Sequence, residues 1–97
     1  MDTLWLSCSV GPGQFPSEYA VAGRQHDGKC FSLFAPRETV SLPTPAAGEG
    51  LLRVQVVGRK DELVLVRLPA ETLENGQYVT VAAGQLHAAP QPQKVSA

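Results

Sequence analysis

The chain's 97 residues carry eight lysines and arginines against nine acidic side chains, for a formal charge of -1, and neither sign is concentrated in one half. Binding to phosphate backbones needs clustered cations, so this balance argues against nucleic acid and against anionic membrane surfaces. No stretch approaches the roughly 18 consecutive apolar residues of a membrane-spanning helix, and no long polar block divides the chain, so one domain around one core is expected.

The opening segment, Met1 to Ser7, has no cationic start and no continuous apolar run of the kind a secretory signal carries, which predicts a cytoplasmic protein. Leu4, Leu6, Cys8 and Val10 alternate with Trp5, Ser7 and Ser9, a period-two pattern that reads as a strand with one apolar face. Gly11-Pro12-Gly13 ends it, because proline lacks the ladder donor and glycine permits a sharp exit.

Residues 18–25 and 29–35 flank His26-Asp27-Gly28. Asp-Gly between two apolar-rich runs is a strong hairpin signal, since a type I′ turn needs positive φ at both central residues. A two-residue Asp27-Gly28 loop sets Arg24 opposite Phe31, Ala22 opposite Leu33 and Val21 opposite Phe34. Ala20, Ala22, Phe31 and Leu33 then share one face, and Tyr19, Val21 and Phe34 the other. Apolar residues on both faces predict a hairpin covered twice, once by the core and once by a neighbouring subunit.

Pro36 closes this hairpin, Thr39 to Leu42 reads as a short edge strand, and Pro43 to Gly50 as a surface loop. Leu51 to Val57 and Glu62 to Leu68 form a second hairpin. With a three-residue loop Arg59-Lys60-Asp61, Leu52, Val54 and Val56 face Leu68, Val66 and Val64 as the centre of the core. The other face, Arg53, Gln55 and Val57 against Arg67, Leu65 and Leu63, is polar at one end and apolar at the other. The loop Arg59 to Glu62 neutralises its own charge and reads as a solvated turn.

Pro69 to Gly76 suits either a single helical turn near residues 71–75 or a plain loop ending in an Asn-Gly turn. Tyr78 to Ala83 is the last strand by alternation. Beyond Leu86 the composition turns to Ala, Pro, Gln and Lys, so residues 1–87 are expected to form the domain and 88–97 a C-terminal tail. The fold class that follows is all-β: a small barrel or sandwich of about six to seven mostly antiparallel strands.

A search for chemistry finds no constellation. Cys8 and Cys30 are too few and too far apart for a structural zinc site and read as small packing residues rather than a disulfide. His26 falls at a hairpin tip and His87 at the edge of the tail, where a backbone-anchored pocket is not expected. The carboxylates fall mostly at turns, as on a solvated rim, and no phosphate-binding glycine loop is present. No catalytic residue, metal site or cofactor is expected.

The residues that stand out are aromatic and apolar. Trp5, Tyr19, Val21, Phe34 and Tyr78 are the candidate interface or ligand residues, and the leading expectation is a non-enzymatic protein-interaction or self-assembly module. It would be a homo-oligomer joined through the face bearing Tyr19, Val21 and Phe34. One alternative is a small apolar ligand-binding domain with a pocket of roughly 300 Å³ or more lined by Trp5, Tyr19, Phe34 and Tyr78. Another is an enzyme using Cys8 or Cys30 with His26 at about 3 to 4 Å. The last is a weak nucleic-acid-binding small barrel that stacks bases on these aromatics, which lacks the basic groove such barrels use.

Overall fold

The alternation of apolar and polar residues becomes eight antiparallel strands in a computed structural model that describes residues 2–42, 48–74 and 76–88. They are β1 (Thr3–Pro12), β2 (Glu18–Arg24), β3 (Cys30–Pro36), β4 (Val40–Ser41), β5 (Glu49–Lys60), β6 (Leu63–Arg67), β7 (Tyr78–Ala82) and β8 (Leu86–His87). The main path of the sheet is β3-β2-β1-β5-β6-β7, with β4 added to β5 and β8 to β1. The all-β reading holds, and six strands carry the main path.

On β1, Leu6, Cys8 and Val10 point inward, as their alternation requires. Leu52, Val54 and Val56 of β5 join Val64 and Val66 of β6, with Leu68 just beyond it, in the same core; each is at most 9% exposed. Burying side chains of this size stabilises by about 1.5 to 3 kcal/mol each, which is why the second hairpin sits at the centre of the sheet.

The sheet curls into a half-barrel, and isolated bonds reach across between its two ends. β8, delivered by the 3-10 turn Ala83–Gln85, pairs with the start of β1 through Trp5↔His87 and Leu6↔Leu86. The tip of the β2–β3 hairpin reaches the outer edge of β7, where the His26 N–H donates to the Thr80 carbonyl at 2.9 Å. Beside it the Gln85 Nε2 donates to the Arg24 carbonyl at 2.9 Å, and its Oε1 accepts from the Ala82 N–H at 2.8 Å. A side-chain amide thus bridges the closure where the backbone ladder does not run.

Both hairpin registers differ from expectation, with opposite consequences. The first closes through Gln25 N–H to Lys29 O at 2.8 Å, so its loop is the three residues His26-Asp27-Gly28. Gly28 has φ 86°, the left-handed residue that ends a type I turn in three-residue hairpins. The pairs become Gly23↔Phe31, Val21↔Leu33 and Ala20↔Phe34. A slip of one residue sends every side chain to the other face, so Val21, Phe31, Leu33 and Ala35 are in the core while Ala20, Ala22 and Phe34 face outward.

In the second hairpin, Lys60 pairs with Leu63 across a two-residue Asp61-Glu62 turn, with Asp61 at φ 56°. That turn alone would also invert the faces, but a bulge at Val57/Gly58 shifts the register back, giving Val56↔Val66. The expected core residues therefore stay inside.

Other expectations change locally. Glu49 and Gly50 belong to β5 rather than to a loop. Gly50 is buried where an added Cβ would lie 2.8 Å from the Ser41 carbonyl oxygen; residues 43–47 lie outside the described residues. No helical turn forms at 71–74, and position 75 is outside the described residues. Leu73 and Glu74 are instead engaged by β3, and those bonds displace the local turn. The short turns lie at Arg37–Thr39 and Ala83–Gln85. The expected tail is described only at position 88. Among the described residues no helix is long and apolar enough to cross a membrane.

Candidate functional site

The first hairpin's register decides what becomes of the residues singled out by sequence. Val21 is 2% exposed and belongs to the core. Tyr19 is on the same inner side, half-buried against that core. Arg37 holds it there: its Nη2 donates to the Tyr19 hydroxyl at 2.9 Å, its Nη1 to the Pro16 carbonyl at 2.8 Å, and its guanidinium carbon lies 4.8 Å from the ring centroid. Phe34 faces outward from β3. The three side chains expected to share one exposed face do not share it.

Trp5 and Tyr78 both lie on the outer face of the sheet, Trp5 half-buried and Tyr78 55% exposed. Trp5 pairs with Arg53 and His87, and Tyr78 with Arg67. β5 and β6 stand between them, three strand spacings or about 14 Å along the sheet. They do not line one pocket with Tyr19 and Phe34.

The residues between and above them form the patch that the sequence reading did not select. On β6, Leu63 and Leu65 point outward while Val64 and Val66 point inward. Leu65 lies between Gly58 of β5 and Thr80 of β7, and Leu63 between Lys60 and Ala82. Val57 faces out beside them by the same alternation, 46% exposed, with Leu63 and Leu65 at 37% and 36%. Below this apolar part, Arg53, Gln55 and Arg67 separate Trp5 from Tyr78. The signal was present in sequence as apolar residues on both faces of a strand.

On the opposite part of the outer surface, β1, β2 and β3 form a shallow groove of about 290 Å³. Ser9, Gly11, Ala20 and Ala22 make its floor, with Phe34 and Leu73 at its sides. Small side chains on adjacent strands leave this depression. Leu73 is held beside it by three hydrogen bonds between its segment and Ser32. The Leu73 N–H donates to the Ser32 carbonyl at 2.7 Å, and the Ser32 N–H and hydroxyl donate to the two Glu74 carboxylate oxygens at 2.8 Å each. Those donors, the backbone N–H first, pull the Glu74 carboxyl below the usual range.

Cys8 does not offer the chemistry expected of a cysteine nucleophile. Cys8 is buried in the core, and desolvation pushes its thiol up to about 12; a thiol held protonated is a poor nucleophile. Cys30 is exposed rather than packed, and both cysteines are free. His87, expected at the edge of a tail, is anchored by β8 pairing, with its Nε2 2.8 Å from the Ser7 Oγ. Both side chains are exposed to competing water, and the contact ties β8 to β1. Among the described residues no group of three or more His, Cys, Asp and Glu side chains converges as a metal site.

Comparison of the chain with protein-family models, with curated proteins and with solved structures finds no match in any of the three.

Proposed function

We propose that this domain is a non-enzymatic self-assembly module whose contact surface is the outer face of β5, β6 and β7. The observation that supports the reading is β6, apolar on both sides, with its inner side fully covered and its outer leucines still 36–37% exposed. Leu63, Leu65 and Val57 supply an apolar part, and Trp5, Tyr78, Arg53 and Arg67 lie along one side of it. Aromatic residues and arginine are the types enriched where interfaces concentrate their binding energy. A second copy covering this face would remove the apolar part from water and leave the arginines at a solvated rim.

Sedimentation velocity across micromolar concentrations tests it. The wild-type chain is expected to shift to a dimer or larger species as concentration rises. Leu65→Lys is expected to stay monomeric and still unfold cooperatively, since position 65 points outward, 36% exposed, and a lysine stem can lie along the neighbouring strands with its ammonium in water. A wild-type chain that remains monomeric throughout contradicts the proposal.

The groove on β1–β3 favours a second reading, a small apolar ligand. Its volume is near the roughly 300 Å³ at which ligand pockets begin, but it is a shallow depression built mainly from small residues, so it would cover a ligand poorly. Enhanced fluorescence of anilinonaphthalene sulfonate that Phe34→Ser abolishes and Leu65→Lys leaves intact would favour the groove over the β5–β7 face.

A further inference from the structure

The segment 69–74 makes contacts of a kind that a strand would make. Ser32 turns its N–H and its carbonyl away from β2, and both are taken by this segment: the carbonyl by the Leu73 N–H, the N–H by a Glu74 carboxylate oxygen. The first is an ordinary ladder bond. In the second a side-chain carboxylate replaces the carbonyl that a neighbouring strand would offer, and its other oxygen also takes the Ser32 hydroxyl. Leu73 lies beside Phe34 at the groove, where an added strand's side chain would lie.

We propose that residues 69–74 are a strap that occupies the outer edge of β3, opens without unfolding the barrel, and thereby uncovers a pairing site for an extended polypeptide. This inference concerns the β3 edge and does not depend on the β5–β7 face. Three features separate strap from barrel. The base of the loop is clamped independently: the Leu68 N–H donates to the Gln77 carbonyl, and the Gln77 Nε2 donates back to the Leu68 carbonyl, both at 2.8 Å. The loop also bonds across its own turn, with the Thr72 N–H and hydroxyl both donating to the Gly76 carbonyl. Little apolar area holds its outer half down: Leu73 is 65% exposed, and the strap's apolar contact with the core is made at Ala70, next to the clamped base. Elements with few buried contacts and exposed hydrogen bonds open at a small fraction of the global unfolding free energy.

The strap also specifies its competitor. An extended segment that offers a backbone N–H to the Ser32 carbonyl, an acceptor to the Ser32 N–H and an aliphatic side chain at the groove would make the same contacts, in the mode of strand addition to a sheet edge.

Amide hydrogen exchange, read by NMR on the whole chain, tests both halves. In the wild type the Ser32 amide is expected to exchange through a denaturant-independent local opening, and that of Val66, at the sheet centre, only through global unfolding. In a Leu73→Ala, Glu74→Ala variant Ser32 is expected to exchange roughly tenfold faster or more, in keeping with the loss of a charge-assisted bond, with Val66 unchanged. Millimolar Pro-Ala-Glu-Thr-Leu-Glu peptide, the strap's own sequence, is expected to slow Ser32 exchange again in the variant. Ser32 and Val66 exchanging together in the wild type, or accelerating together in the variant, overturns the independent strap. A variant whose Ser32 is freed but does not respond to the peptide overturns the pairing site.

Discussion

Gly23 sits in β2 directly across from Phe31, and the ring occupies the space a side chain would need. A Cβ at position 23 would lie 2.6 Å from the Phe31 Cζ, 2.9 Å from its Cε2 and 3.2 Å from the Cys8 sulfur. Gly23→Ala must therefore displace a ring that is 2% exposed, and overpacking of this kind costs about 1 to 3 kcal/mol. Urea unfolding is expected to show the loss as a lower midpoint at unchanged slope; an unchanged midpoint would mean that Phe31 does not pack over Gly23. The two cysteines differ for the same reason of burial. A thiol reagent at neutral pH is expected to label Cys30 in the folded chain and Cys8 only after unfolding. Because burial raises the Cys8 pKa from 9.0 to about 12, its contribution to stability is complete below pH 9 and is lost as pH rises from there towards 12. Cys8→Ala should flatten that alkaline decline.

Each of the two hairpins turns on a single residue of loop length. Strand alternation made the strands legible, because period two survives whatever the loop does, and the core face of β5 and β6 was read correctly although their register was not. The reason is physical: the turn and the bulge each shift the pairing by an odd step, and two such shifts restore the parity of the face. In the first hairpin one odd step stands alone. Asp-Gly fits both the two-residue type I′ loop and the three-residue loop ending in a left-handed glycine, so the dipeptide does not choose between them; the two-residue reading puts Val21 and Phe34 on one face, and they lie on two. What decides is His26, whose N–H bonds to Thr80 across the barrel closure, a tertiary contact no local pattern announces. Deleting His26 leaves Asp27-Gly28 as a two-residue loop and forces Phe31 and Leu33 outward unless the pairing is abandoned. The deletion variant is expected to lose its cooperative thermal transition; a transition near the wild-type temperature would contradict the three-residue register.

For the molecule as a whole, the curled sheet has one core and an outer surface divided into unlike parts. β1 to β3 present small side chains and a shallow groove crossed at its edge by the 69–74 strap. β5 to β7 present leucine, valine, tyrosine and arginine. The expected interface residues were dispersed by the fold: Val21 to the core, Tyr19 to the clasp of Arg37, Phe34 to the groove, Trp5 and Tyr78 to either side of the β5–β7 face. The principle behind the expectation, that a strand apolar on both sides implies a second cover, is what motivates the proposal made for β6. Stacking of bases on this face would require a continuous cationic groove, and Arg53, Arg67 and Lys60 are too few to neutralise a run of phosphates. The self-association account therefore rests on β6, and it is tested most directly by comparing backbone amide shifts in dilute and concentrated samples of the wild-type chain. The account predicts concentration-dependent shifts gathered at Val57, Leu63, Leu65 and Thr80, with Ala20, Ala22 and Phe34 unmoved. Spectra that superimpose at all concentrations, or shifts centred on Phe34 and Leu73, would contradict it.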